Sequence, residues 1–105
     1  AGTIEDGESP RQTAERELLE EAGAIAKRWT ELGEIFTSPG VFRERMFLFL
    51  AEDLTLTNTE HETEEVISVH WKPVDEVLAW TDGGEIKDAK TLIAINYWRS
   101  NHQIE

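Results

Sequence analysis

Between Ser9 and Gly23 the apolar positions recur at helical intervals, and strand-like runs take over immediately afterwards. At about 100° per residue, Ala14, Leu18 and Ala22 share one face with Leu19 beside them, so this side is expected to pack inward. Ser9 followed by Pro10 reads as N-cap and first helical position, Gln12 completes a capping box, and Gly23 supplies a left-handed stop. Ile25 to Phe36 predicts a strand, interrupted or turned near Glu31, Leu32 and Gly33, and Thr37 to Gly40 predicts a turn around Pro39. The run Arg45 to Glu52 is too continuously apolar for a half-exposed strand, which predicts a central strand buried on both faces. Val66 to Trp71 alternates in part and predicts another strand. Pro73 to Trp80 fits a short helix and Asp88 to Arg99 a longer one, with Leu92, Ile95 and either Trp98 or Tyr97 toward the core. Strands flanked by helices in this order predict an α/β sandwich.

The first helix also carries a clustering of charge that its hydrophobic pattern does not require. Glu17, Glu20 and Glu21 fall within about a 100° arc beside the inward face. Like charges at these spacings destabilise a helix by roughly 0.2–0.5 kcal/mol per pair. Only Arg16, four residues before Glu20, offers local compensation, and the helix wheel gives Glu17 and Glu21 no basic neighbour. Two readings fit: a solvated acidic face, or a divalent cation held between carboxylates. With no cysteine and no paired histidines, the donor set favours a hard ion such as Mg²⁺ or Mn²⁺.

The wider spacing adds a resemblance that favours the second. Gly2, Glu8, Arg16-Glu17-Leu18, Glu20-Glu21, Gly23 and Ala24 stand in the pattern G-x5-E-x7-R-E-U-x-E-E-x-G-U, which resembles the complete Nudix box. The one mild departure is Ala24, where that family usually has a larger aliphatic residue. The resemblance implies a loop-helix-loop, a Nudix-type α/β/α sandwich with a mixed sheet, and a hydrolase acting on a nucleoside diphosphate linked to another group. It further implies Glu17 and Glu21 as direct metal ligands, Glu20 in the same metal shell, and the backbone carbonyl of Ala1 as a further ligand. Arg16 would orient a carboxylate, and Glu8 would support the loop or approach a metal through water.

Two downstream segments narrow the resemblance. The run SPGVFRERMFLFLAEDL, with Pro39 fifteen residues past Ala24, and the closing GGEIKDAKTLIAINYW are similar to segments of ADP-ribose pyrophosphatases. The resemblance thereby implies ADP-ribose as the leading substrate, hydrolysed to AMP and ribose 5-phosphate, with other nucleotide sugars as alternatives. It places Ser38, Pro39 and Gly40 at the substrate, and Glu44 at the terminal ribose or a metal, although a plain strand-edge carboxylate also fits Glu44. The catalytic base is expected in the loop Thr59 to Glu65, where matching ETEEV favours Glu62, with Glu64 the alternative by a two-residue shift; a solvated acidic loop is the plainer reading.

Composition bounds the remainder. The chain has 105 residues, 39% hydrophobic and 30% charged, so one domain over 1–105 is expected. Zero cysteines exclude disulfides, zinc-thiolate sites and cysteine nucleophiles, and are compatible with a reducing cytoplasm. The longest apolar stretch, Met46 to Ala51, is far short of a membrane span, and no signal peptide precedes the box. A formal net charge of -12 argues against nucleic acid as a partner and would repel a diphosphate, so bound cations reconcile the acidic chain with an anionic substrate. His61, His70 and His102 lack metal spacing, and no serine sits in a nucleophile elbow. Trp29, Trp71, Trp80 and Trp98 read as core or interface residues, one of which would be free to stack on adenine.

The chain starts one residue before the box, whereas the resemblance implies strands ahead of it that build the adenine pocket and a dimer. The expectation is therefore a fragment, or a shortened protein that completes its sheet by pairing with a second copy, and a homodimer is predicted. The contrasting hypothesis is a binding or assembly module with a relict box that holds metal without turnover.

Overall fold

The computed structural model describes residues 1–37, 44–57 and 69–101. In chain order its elements are helix α1 (Pro10–Ala22), strand β1 (Ala24–Phe36), strand β2 (Arg45–Leu56), helix α2 (Val74–Gly83) and helix α3 (Ala89–Asn101). The fold is mixed α/β, and the described strands form one two-stranded sheet. Gly23 meets Thr57 at one end of the pair and Thr37 meets Glu44 at the other, so β1 and β2 run antiparallel. Packing divides the chain into two compact units, Ala1–Glu31 with Phe49–Val69 and Leu32–Leu48 with His70–Glu105.

In the first unit α1 begins and ends where its residues dictate. Ser9 Oγ accepts from the Gln12 backbone N–H at 3.2 Å while Gln12 Oε1 accepts from the Ser9 N–H at 2.9 Å, closing the capping box. Gly23 takes φ 62°, and its N–H donates to the Leu19 carbonyl at 2.9 Å. The same Gly23 offers its own carbonyl to Thr57, which donates from its backbone N–H at 2.7 Å and from Oγ1 at 2.9 Å. Ala24 follows with no exposed surface, which accounts for a small side chain here. Ala14, Leu18, Leu19 and Ala22 are half-buried, and the one buried residue of α1 is Thr13. Trp29 meets Phe49 edge to face at 6.3 Å, and Arg28 pairs with Glu52 at 3.1 Å on the exposed side.

The second unit corrects two expectations. β1 passes through Glu31, Leu32 and Gly33 without a turn. Gly33 is there for close approach: a Cβ at this position would collide with the ring of Tyr97 on α3. β2 extends to Leu56 and is not buried on both faces; Leu48 alone is buried in it, and its last four residues are exposed. Its only described strand neighbour is β1, and apart from Leu48 the apolar run Met46 to Ala51 is half-buried. Thr37 and Glu44 close the hairpin through a backbone bond of 2.9 Å and a side-chain bond of 3.2 Å, and Arg45 pairs with Glu34 at 2.5 Å.

The two later helices agree with their expected spans to within three residues. Pro73 caps α2, which runs to Gly83, three residues past Trp80, and Gly84, at φ 82°, ends it. Asp88 caps α3 by accepting from the Thr91 N–H at 2.8 Å and its Oγ1 at 2.7 Å, and these bonds hold the Asp88 carboxyl below its usual pKa. Leu92, Ile95, Tyr97 and Trp98 are all half-buried. Arg99 near the end of α3 reaches Asp82 of α2 at 3.1 Å. Of the strand expected over Val66 to Trp71, residues 66–68 lie outside the described residues, and Val69, His70 and Trp71 are not strand.

Candidate functional site

Arg16 is the hub of the first unit. Its Nε donates to Glu8 Oε2 at 2.8 Å and its Nη2 to Glu8 Oε1 at 3.1 Å, a two-pronged fork on one carboxylate. Nη1 turns the other way, to Glu17 Oε1 at 3.0 Å and Glu20 Oε2 at 3.3 Å. Nη2 also donates to the Thr3 carbonyl at 3.1 Å and stands 3.7 Å from Glu5, which stitches the loop before α1 to the helix. One guanidinium thus holds the loop, the loop's glutamate and two helix carboxylates. The Glu20 contact is the i, i+4 pair expected from the sequence. Glu17, by contrast, does have a basic neighbour, because the long Arg16 side chain bends back across the helix surface to the adjacent residue.

Glu8 is the most strongly bound carboxylate of this group. Besides Arg16 it accepts from the Glu5 N–H at 3.0 Å and from Thr13 Oγ1 at 3.0 Å. The Arg16 fork first, then the Glu5 N–H, pull its pKa from 4.5 down to about 2. The reciprocal effect, led by the hydrogen bond to Glu8, raises the pKa of Arg16 above its already high value. Neither group changes charge near neutrality. Glu8 is a fixed anion that aims a fixed cation.

The remaining box residues gather close by. A Cβ on Gly2 would fall on the side chain of Glu17, so the first glycine of the box leaves room for that carboxylate. The Ala1 amine lies 3.4 Å from Glu21 Oε2. Glu17 and Glu21 each meet a cationic group through one oxygen, and their other oxygens have no protein partner among the described residues. Among the described residues, no three carboxylate or histidine side chains are already arranged to hold a metal. The donor set itself fits a hard divalent ion, being all oxygen and anionic.

Glu44 lies in the second unit and accepts from Thr37 Oγ1. Ser38, Pro39, Gly40, Glu62 and Glu64 lie outside the described residues, as do His61 and His102; His70 is exposed. Thr13 and the Thr3 carbonyl were not expected at the site. Thr13 had a signal: with Arg16, Glu17 and Glu20 it forms an i, i+3, i+4, i+7 stripe on one helix face. An open cleft of about 360 Å³ runs beside α1, between Arg11, Glu15, Arg16 and Leu19 on the helix and Ile25 and Trp29 on β1, and none of the four box glutamates lines it.

The NUDIX domain model matches residues 1–93, from the box into the first turn of α3. The chain belongs to the Nudix family. An ADP-ribose pyrophosphatase of Bacillus subtilis (strain 168) is 39% identical over 92% of this Nudix chain and 54% of its own length. That of Escherichia coli (strain K12) is 36% identical over 98% and 51%. A GDP-mannose pyrophosphatase of Yersinia pestis (strain Pestoides F) is 35% identical over 88% and 48%. The chain therefore spans about half the length of the curated relatives it matches. The crystal structure of an ADP compounds hydrolase superposes with a TM-score of 0.73 at 27% identity, covering 95% of this chain and 56% of that one.

Proposed function

We propose that this Nudix chain carries the metal-binding part of a hydrolase that cleaves the pyrophosphate of a nucleoside diphosphate linked to another group. The observation that carries the reading is the Arg16 clamp on Glu8, Glu17 and Glu20 within a complete box. ADP-ribose is the leading substrate, supported by the names of the relatives in Bacillus and Escherichia; GDP-mannose or another nucleotide sugar is the second reading, supported by the Yersinia relative.

The chemistry follows from charge. The anionic oxygens of a diphosphate repel an attacking water, and a chain of net charge -12 adds to that repulsion. Glu17, Glu20 and Glu21, with the Ala1 carbonyl as a further donor, are the residues that would hold Mg²⁺ or Mn²⁺, and such an ion neutralises the diphosphate oxygens and orients water. Arg16 keeps two of these carboxylates on one side of α1 and ties them to Glu8. Glu62, or Glu64 in its place, takes the proton of the attacking water. The water oxygen bonds to one phosphorus as the bridging P–O bond breaks, giving AMP and ribose 5-phosphate from ADP-ribose.

The chain also pairs with a second copy in this reading. Ile25, Leu54 and Leu56 of the first unit remain exposed, as do Phe36, Trp71 and Val74 of the second, and Ala24 and Leu48 are the only apolar side chains buried among the described residues. Light scattering at micromolar concentration should report a dimer; a folded monomer would refute that part. The activity is tested by following AMP release from ADP-ribose and GMP release from GDP-mannose, with and without Mg²⁺, for wild type and Glu21→Gln. Metal binding without turnover of any nucleotide sugar would favour the relict-box alternative. A fully active Glu21→Gln would overturn the metal-site assignment.

A further inference from the structure

We infer that Thr13 is a positioning residue for the box carboxylates: its hydroxyl fixes Glu8, and Glu8 aims Arg16 at Glu17 and Glu20. The metal-related consequence rests on the proposed function, whereas the positioning itself is read from this chain alone.

Thr13 is 5% exposed and is the buried residue of α1. A β-branched, hydroxyl-bearing side chain is a poor helix former beside alanine, and a buried hydroxyl needs a partner. Thr13 Oγ1 has two acceptors, Glu8 Oε1 at 3.0 Å and the Ser9 carbonyl at 3.2 Å. A carboxylate only accepts, so the proton between Thr13 and Glu8 belongs to Thr13, and an ionised acceptor draws it more strongly than a neutral carbonyl.

The effect of that bond lies downstream. Glu8 Oε1 collects donors from the Glu5 backbone, Thr13 and Arg16 Nη2, while Oε2 takes Arg16 Nε. The Glu8 carboxylate is thereby locked in one orientation, and the two-pronged fork sets the plane of the guanidinium. With Nε and Nη2 committed, Nη1 is the nitrogen left to reach Glu17 and Glu20. Removing the Thr13 donor leaves every charge in place but loosens the orientation on which the chain of contacts depends. Shape and helix are nearly unchanged by Thr13→Val, so the hydroxyl is isolated as the variable.

Three variants test this. Thr13→Val removes the donor, Thr13→Ser keeps it, and Thr13→Ala removes it without β-branching should the valine protein fail to fold. The first readout is hydrogen exchange of the Arg16 Nε–H by NMR, with the Arg11 Nε–H, bonded to Glu15 at 3.0 Å, as an internal reference. Exchange at Arg16 should quicken in Thr13→Val and stay near wild type in Thr13→Ser, with Arg11 unchanged in both. The second is Mn²⁺ affinity by electron paramagnetic resonance. Loss of a group bonded directly to a ligand costs about 10–100-fold; Thr13 acts at a further remove, so about fivefold is expected for valine and less than about twofold for serine. Unchanged Arg16 exchange in Thr13→Val, or equal behaviour of serine and valine, would overturn the inference. Absence of Mn²⁺ binding by wild type would count against the proposed function, while Arg16 exchange would still decide the role of Thr13.

Discussion

The side chain of Glu17 occupies the space where a side chain on Gly2 would begin. Gly2→Ala should therefore displace a flexible carboxylate rather than break the fold. Stability should change by no more than about 0.5 kcal/mol, as for an ordinary surface substitution, while the Mg²⁺ concentration for half-maximal hydrolysis should rise about tenfold. Thermal unfolding alongside a metal titration checks both halves of the expectation.

Arg16→Lys keeps the charge and loses the fork. A lysine ammonium cannot serve Glu8 through two parallel bonds and also reach Glu17, Glu20 and the Thr3 carbonyl. Activity should fall about 10–100-fold, the range found when groups holding metal ligands are altered. The melting temperature should also drop, because the loop before α1 loses its anchor. A lysine variant with wild-type kcat/KM would show that the fork is dispensable.

Acid should act on the Glu8 contact late. A carboxylate whose folded pKa is depressed stabilises the folded state above its unfolded pKa, and the contribution is lost as pH falls through the folded value. For Glu8 that window runs from about 4.5 down to about 2. Glu8→Gln should therefore make stability less dependent on pH across this interval, measured by denaturant unfolding at several pH values. In wild type, the Glu8 carboxyl carbon should titrate near the bottom of the window by NMR.

Gly33→Ala should be costly because the added methyl meets the ring of Tyr97. Overpacking of this kind costs about 1–3 kcal/mol. Tyr97→Ala in the same chain should recover part of the loss, and a double-mutant cycle measures how much of it the pair shares.

Features governed by neighbours in sequence were legible before the structure. The capping box of Ser9 and Gln12, the αL stop at Gly23 and the Arg16 to Glu20 pair all involve residues within one or two turns, and each stands where its residues place it. What escaped depends on approach between distant segments or on a side chain's path. Gly33 looked like a strand breaker because its partner, Tyr97, is remote in sequence. The apolar run of β2 predicted burial that needs a covering layer, and periodicity cannot say whether one is present. The role of Thr13 comes from Glu8, which lies in the loop before the helix, so the helical stripe it shares with Arg16, Glu17 and Glu20 does not by itself reveal that partner. The wheel missed Arg16 to Glu17 for another reason: it ranks faces and ignores the reach of a flexible guanidinium.

The Gly23 carbonyl takes both the N–H and the hydroxyl of Thr57, so the hairpin leaves α1 and returns to the very peptide it left. Everything between them is an excursion with a closed base. The end of the box helix has its reference point at Thr57, at the base and not along the strands. Diversification of the hairpin and constancy of the carboxylate-bearing helix are thereby mechanically separable, which lets one vary across descendants of this chain while the other stays put.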